Sequence, residues 1–320
     1  MSDLLITKSP AAWYRDLWRE ASPSGNGQVG MMVYGHVAEE TVILNHSALW
    51  HHSRKGEVPA IPDALERTRQ MIDEGDFWNA NWIITNALKE KGFEAALGAP
   101  FPVCALHFRM HEGEDTFLRQ GFVSRADDVV VFRIHSSRPL DVTVGLALHE
   151  TGEPDTEQKR EELGDSLRVE AQPPFIEYAG TNDDGTDFGA VARVIGPQAQ
   201  AEESGIRLCG EDDILVLVKL FVKSADREES FRQAEEALLA LSTEYDVLLA
   251  RHQALHEPLY RSAELEIEEE PCGEAEITNE HLLEEAYDEG APNALLNRLW
   301  KFGRYLLICG TRPGALPFPM

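Results

Sequence analysis

The sequence has little positive charge and no long apolar run, and both shortages restrict what the protein binds. It carries 29 lysine and arginine residues against 56 aspartate and glutamate residues, which gives a net charge of −27. Such a balance repels phosphate backbones and anionic membranes, so we expect no nucleic-acid partner. No segment approaches the roughly 20 apolar residues that a membrane-spanning helix needs. We therefore expect no membrane association either.

Cysteines are also few, and they are widely spaced. The four of them, Cys104, Cys209, Cys272 and Cys309, show none of the paired spacings that are typical of zinc or redox sites. Residues 1–8 lack the basic segment and apolar stretch of a secretory leader. We therefore predict a reduced, cytoplasmic protein with no cofactor and no bound metal.

What the sequence does contain, from residue 29 to residue 222, is a series of short β-branched and apolar runs separated by turn residues. This pattern is typical of a sandwich-type, mainly β fold. The predicted strands are Val29–Tyr34, Thr41–Leu44, Val103–Met110, Val129–Ile134, Leu140–Leu148, Leu167–Ala171, Phe188–Ile195 and Ile214–Val222. The last run is apolar on both faces except at Lys219, so we expect it to be a central strand covered on each side.

Helical patterns interrupt and follow these strands. Residues 62–91 predict an inserted helical hairpin, in which Gly75 ends the first helix and Asp76 caps a second helix that buries Phe77 and Ala80. Helical periodicity returns over residues 227–256, with one apolar stripe. We assign all of this to one sandwich domain, residues 1–262.

The remainder of the chain reads as a linker and the beginning of another unit. An acidic linker is predicted at 263–278, followed by helices over 279–320. The strongest helical pattern, residues 292–309, is apolar on more than one face and needs neighbours on more than one side. Because only a short turn follows it, we expect the chain to be the first part of a larger protein.

Two motifs that suggest binding sites have simpler interpretations. Residues 25–30 match the dinucleotide pattern G-x-G-x-x-G, but the β-prone run after Gly30 replaces the helix N-terminus that would face a pyrophosphate. We interpret them as a glycine-rich turn that leads into a strand. His252 and His256 are four residues apart on a predicted helix, but no glutamate lies between them as in H-E-x-x-H, and no third ligand is apparent. With 56 carboxylates and no nucleophile or phosphate-loop motif, we assign no catalytic residue.

Several segments, in this order, resemble the N-terminal part of glycoside hydrolase family 95, the inverting α-L-fucosidase family. They are Trp18 with Gly25-Asn26-Gly27 and Gly30, then Leu44-Asn45 with Leu49-Trp50, the hairpin from Pro62 to Gly92, His252 to Leu265, and Phe302 to Ile308 with Arg312-Pro313-Gly314 and Leu316-Pro317. The last segment is the most specific, because it is similar to the first catalytic-domain helix and turn of that family.

This resemblance implies an N-terminal β-super-sandwich, a linker and then an (α/α)6 barrel. Residues 279–320 would be a linker helix and the first helix of that barrel. The general-acid glutamate and general-base aspartate of the family lie in the barrel beyond residue 320, so none is carried onto this chain. The missing barrel and a fucose-containing oligosaccharide are the partners that the resemblance implies.

Loops of the sandwich approach the sugar pocket in this architecture. The candidate sugar-binding residues are Asn45, His46 and Trp50, with Asn26 a weaker candidate. An amide offers donors and acceptors to sugar hydroxyls, and an indole face stacks on a sugar ring. The same side chains also suit a purely structural role in the turn and the core. At the position of His46 the family usually has an acidic residue, so the identity of the bound sugar stays open.

We therefore predict a non-catalytic N-terminal domain of a glycosidase that removes a terminal α-linked fucose or a related sugar, with the 320 residues inactive alone. Two alternatives stay open. The chain could be a stand-alone carbohydrate-binding or scaffold module, or it could be a domain of a related disaccharide phosphorylase.

Overall fold

The fold is described from a computed structural model. It covers residues 21–51, 59–93, 99–100, 102–111, 117–149, 163–182, 184–203, 205–268, 277–288 and 290–315. Two compact units are present. The larger contains the described residues up to Leu49 and those after Phe101, and the smaller lies within Trp50–Pro100. Within the described ranges no helix is long and apolar enough to cross a membrane.

The larger unit is built on one antiparallel sheet of 11 strands, which confirms the predicted mainly β class. Its strands are β1 Ser22–Gly25, β2 Val29–Val33, β3 Glu39–His46, β6 Cys104–Met110, β7 Phe117–Val123, β8 Val130–Ala147, β9 Arg168–Gln172, β10 Phe175–Thr181, β11 Asp187–Ile195, β12 Ala199–Glu202 and β13 Gly205–Ser224. Their order is β1-β2-β3-β6-β8-β13-β11-β10-β9, with β7 beside β8 and β12 beside β13.

Two long strands, β8 and β13, hold the sheet together. Residues 129–134 and 140–148 were predicted as separate strands, and that prediction is wrong, because Val130–Ala147 is continuous. The polar residues between the two apolar runs are mostly exposed but stay extended, and the pairing with β13 shifts register opposite them, around Glu211. A polar stretch inside a long strand therefore has the sequence pattern that is expected of a turn.

β13 is a central strand with both faces covered, as predicted. Ile214, Val216 and Val218 lie in the main hydrophobic core, together with residues of β3, β6 and β10. Leu215 and Leu217 point to the other face, into a second cluster that contains residues of two helices. These helices are α3, Arg227–Leu239, and α4, Tyr245–Tyr260. Their apolar residues, Phe231, Ala234, Leu238 and Leu248, close that face.

The smaller unit contains a helical hairpin and a two-stranded ladder. The helices are α1, Pro62–Asp73, and α2, Phe77–Glu90, and the strands are β4, Trp50–His51, and β5, Ala99–Pro100. Asp76 caps α2 as predicted, because its carboxylate accepts the Asn79 N–H at 3.2 Å. Ala80 is buried, but Phe77 is exposed, so the prediction that Phe77 faces the hairpin interior is wrong.

The chain continues with α5, Asn279–Asp288, and α6, Asn293–Gly310. On α6, Leu295 and Ile308 are buried, whereas Leu296, Leu299 and Leu307 are exposed and follow one another at helical spacing. The helix therefore packs against the rest of the larger unit along one side and leaves an apolar stripe exposed on another.

Candidate functional site

The candidate site surrounds the Gly25–Gly27 turn, where the C-terminal end of α6 packs against the sheet. The Gly27 N–H donates to the Cys309 carbonyl at 2.7 Å. Gly27 has a φ of +87°, and a Cβ on it would lie 2.4 Å from the Thr311 carbonyl carbon. A Cβ on Gly25 would lie 2.7 Å from the Cys309 oxygen. Both glycines are therefore required for close packing against a helix, and the interpretation of this motif as a turn leading into a strand is correct.

Asn26 is fully buried inside this turn, and its amide has four hydrogen bonds. The Nδ2 atom donates to the Ser124 carbonyl at 3.0 Å and to the Asp128 carboxylate at 2.9 Å. The Oδ1 atom accepts the N–H groups of Gln28 at 3.0 Å and Val29 at 2.9 Å. Because an amide has two donor hydrogens and two acceptor lone pairs, this side chain is saturated. It positions the turn.

Arg125, in the β7–β8 loop, binds the end of α6. Its Nη2 donates to the carbonyls of Ile308 at 2.7 Å and Thr311 at 2.6 Å, and its Nη1 donates to the Asn26 carbonyl at 3.0 Å. The last carbonyls of a helix lack partners in the helix and carry its negative dipole end, which favours a cation there. Arg125 thus connects three separate segments.

A row of polar side chains runs from this junction to the end of β3. Arg312 donates to the Asp128 carboxylate at 2.5 Å and to the Gln28 amide oxygen at 3.2 Å. The Gln28 amide nitrogen lies 3.1 Å from Nε2 of His46. Lys219, the one cation in the apolar run of β13, donates to the Asp128 carbonyl at 3.0 Å. The β7–β8 loop is therefore held from several sides.

His46 is neutral in this setting. Its Nδ1 accepts the Ala48 N–H at 3.1 Å. Burial lowers the pKa of His46 to about 4, and the nearby lysines add to the effect although Asp128 opposes it. A neutral ring beside an amide and a guanidinium offers a polar surface without positive charge of its own.

The other two sugar-binding candidates, Asn45 and Trp50, have different local surroundings. Asn45 precedes it on β3, so the two side chains leave the strand on opposite sides. Asn45 pairs with Gly30 in the register, and within the described ranges its amide has no hydrogen-bond partner. Trp50 begins β4 in the smaller unit, where it pairs with Pro100. Arg125, Asp128 and Gln28 were not singled out from the sequence, since their roles depend on contacts between distant segments.

The two helix histidines are packing residues. Their rings are 5.1 Å apart, and His252 Nδ1 accepts the Arg125 N–H at 3.2 Å. Burial lowers the pKa of His252 to about 4, with His256 and Arg125 contributing in the same direction. Among the described residues, no group of three or more histidine, cysteine or acidic side chains is placed to hold a metal ion.

Comparison with known proteins confirms the resemblance. Residues 5–99 match the family model described as glycosyl hydrolase family 65, N-terminal domain, and residues 244–320 match that described as glycosyl hydrolase family 95 catalytic domain. Both matches are to domains of one class of proteins, the glycoside hydrolases. Within that class the chain is similar to family 95.

Two relatives make the comparison specific. The chain is 24% identical over 359 residues to alpha-L-fucosidase 2 from Arabidopsis thaliana. That alignment covers 93% of this chain and 41% of the relative. It is 23% identical over 355 residues to a probable alpha-fucosidase A from Aspergillus niger, covering 95% of this chain and 42% of that protein. The chain therefore spans about two fifths of the length of these relatives.

Proposed function

We propose that the chain is the non-catalytic N-terminal part of a family-95-like glycoside hydrolase. The complete enzyme would hydrolyse a terminal α-linked fucose, or a related sugar, with inversion of configuration. Both relatives have α-fucosidase names, and the catalytic-domain match occupies only residues 244–320. On this proposal the 320 residues alone do not hydrolyse a glycoside.

The observation that carries the proposal is the way α6 is bound. This helix lies in the segment that matches the catalytic domain, and it contacts the Gly25–Gly27 turn, which lies in the segment that matches the N-terminal domain. Its other side presents Leu296, Leu299 and Leu307 to solvent. A helix fixed on one side and apolar on the other is suited to begin a bundle of further helices.

Carboxylates are the groups that an inverting glycosidase needs for catalysis. Inverting hydrolysis requires a protonated acid and a base whose carboxyl groups lie about 6.5 to 9.5 Å apart. Two strongly buried carboxylates of the larger unit are used in the fold instead. Glu40 pairs with Arg119 at 2.5 Å and accepts the Gly35 N–H, and Asp127 pairs with Arg251 at 2.6 Å. We assign neither of them to catalysis.

The sandwich would contribute to sugar binding in the complete enzyme. His46, Asn45 and Trp50 remain our proposed contact residues, and the buried amide of Asn26 positions the Gly25–Gly27 turn. The neutral His46 ring lies in the polar row with Gln28 and Arg312, and Arg312 belongs to the turn after α6. This row therefore brings the sandwich into contact with the segment that matches the catalytic domain.

The test uses a longer protein, the product of the whole coding sequence to which these 320 residues belong. We expect it to release fucose from a fucosylated oligosaccharide, with the β-anomer appearing first in an NMR time course. Release that requires inorganic phosphate and yields a sugar phosphate would favour the phosphorylase alternative. A stop codon directly after Met320, together with tight binding of free oligosaccharide, would favour the stand-alone module.

A further inference from the structure

We propose that the exposed face of α2 is a carbohydrate-binding platform formed by Trp78 and Trp82. The inference begins with exposure. Trp78 is 77% exposed and Trp82 is 48% exposed. Tryptophan side chains are highly buried on average, so two large exposed indoles on one short helix require an explanation.

The two indoles lie on the same side of the helix. Residues four apart are neighbours on a helix surface, with about 6 Å between them along the axis. An extended oligosaccharide has a repeat of similar length, so neighbouring rings of one sugar chain could each stack on an indole. Aromatic faces favour this contact because the axial C–H groups of a pyranose form an apolar surface.

The side chains around the indoles are suited to sugars rather than to another protein helix. At about 100° per residue, the arc that contains Trp78 and Trp82 also contains Asn81, Thr85 and Asn86. All three are exposed, and they supply amide and hydroxyl groups for hydrogen bonds to sugar hydroxyls. Ile83 and Ile84 lie outside this arc, Leu88 lies at its edge beside Asn81, and all three are only partly exposed.

Charge points to a neutral ligand. In a chain of net charge −27, this arc has no carboxylate, and its one charged residue is Lys89 at the far end. A face that binds a basic protein would carry acidic residues, and a face that packs against another helix would carry aliphatic residues at helical spacing. Aromatic rings flanked by amides and a hydroxyl match a neutral oligosaccharide instead.

The test is a binding titration with the 320-residue chain, followed by intrinsic tryptophan fluorescence and by calorimetry. The probes are a fucosylated lactose trisaccharide, lactose and a linear gluco-oligosaccharide of six units. We expect the longest probe to bind best, because it reaches both rings. Replacing either indole, as Trp78→Ala or Trp82→Ala, should weaken binding by about tenfold, whereas Trp82→Tyr should retain most of it.

Two matched controls separate a specific platform from general aromatic exposure. Phe77→Ala removes a 67% exposed ring next to Trp78 but about 100° around the helix, and Tyr287→Ala removes a 91% exposed ring on α5. Neither variant should change binding. Absence of binding to any of the three probes would overturn the proposal. Equal binding by the parent chain and by the Trp78→Ala, Trp82→Ala double variant would also overturn it. A sedimentation coefficient of the double variant that differs from that of the parent chain would overturn it too, because it would identify the face as a contact between protein chains. Hydrolysis is not measured, so failure here leaves the proposed enzymatic role unaffected.

Discussion

At the scale of single residues, the Gly25–Gly27 turn shows how a motif can be recognised before its physical reason is known. The sequence indicates a glycine-rich turn and argues against a nucleotide loop, because a strand follows it. The reason for the glycines is the approach of Cys309 and Thr311, more than 280 residues later in the chain. No local pattern encodes that contact, so only the structure reveals it.

Substitution of Gly27 tests whether close packing, and not backbone conformation alone, requires this glycine. Gly185 is the matched control, since its φ is +81° and a Cβ there would meet nothing within 4 Å. We expect Gly185→Ala to cost about 1 to 2 kcal/mol, the penalty for a left-handed alanine. Gly27→Ala should cost clearly more, because the methyl group also collides with Thr311. Equal losses in urea unfolding would show that the helix end yields to the methyl group without cost.

The two candidate asparagines should respond differently to alanine. Asn26→Ala removes an amide with four hydrogen bonds and should lower the free energy of unfolding by about 3 kcal/mol or more. Asn45→Ala should change it by less than about 0.5 kcal/mol, since that amide has no hydrogen-bond partner among the residues that the structure describes. In the longer protein, Asn45→Ala should then lower kcat/KM. If Asn45→Ala changes stability and leaves kcat/KM intact, its role is structural.

The buried histidines predict a pH dependence of stability. In the folded chain the pKa of His252 is lowered to about 4, whereas an unfolded histidine titrates near 6.5. The unfolded state therefore binds more protons between these two pH values. The contribution of His252 to the free energy of unfolding is fully present above about pH 6.5 and is lost as pH falls toward 4. His252→Gln should have a flatter unfolding profile over that interval, while His46 retains its own contribution. Identical slopes for the variant and the parent chain would contradict this assignment.

At the scale of elements, strands with nearly continuous apolar runs were predicted, and several strands with interrupted apolar runs were missed. β3, β11 and β13 have nearly continuous apolar runs, which sheet burial requires. β7 was missed because Arg119, Gln120 and Gly121 interrupt its apolar pattern. β8 appeared as two strands because polar residues occupy its middle. β10 was also missed although Ile176 and Tyr178 are buried, whereas the mostly exposed β9 was predicted, so burial alone does not decide which strands the sequence reveals.

Docking of α6 depends on the Arg125 guanidinium, which donates hydrogen bonds to the carbonyls at the C-terminal end of the helix. Arg125→Ala should detach the C-terminal end of the helix and speed proteolysis between residues 305 and 315, with about 2 to 3 kcal/mol lost from the unfolding free energy. Arg232→Ala is the matched control, because Arg232 pairs with Glu229 and Glu236 on the surface. Exposed pairs contribute about 0 to 1 kcal/mol. Equal effects of the two variants would remove Arg125 from this role.

At the scale of the whole molecule, the larger unit has a closed core on both faces of β13 but an open apolar stripe on α6. The sequence predicts both features, since a helix with apolar residues on several sides needs several neighbours. The pairing of α6 with the Gly25–Gly27 turn could not be predicted, because it depends on the three-dimensional course of the chain.

The most direct measurement is the release of nitrophenol from a nitrophenyl α-L-fucoside by the purified 320-residue chain. The account predicts no release above the uncatalysed rate, because the carboxyl pair of the inverting reaction is assigned to a domain beyond these residues. The chain should still unfold cooperatively in the same sample, which excludes misfolding as the cause. Robust release that is lost on mutation of a carboxylate within residues 21–315 would contradict the account.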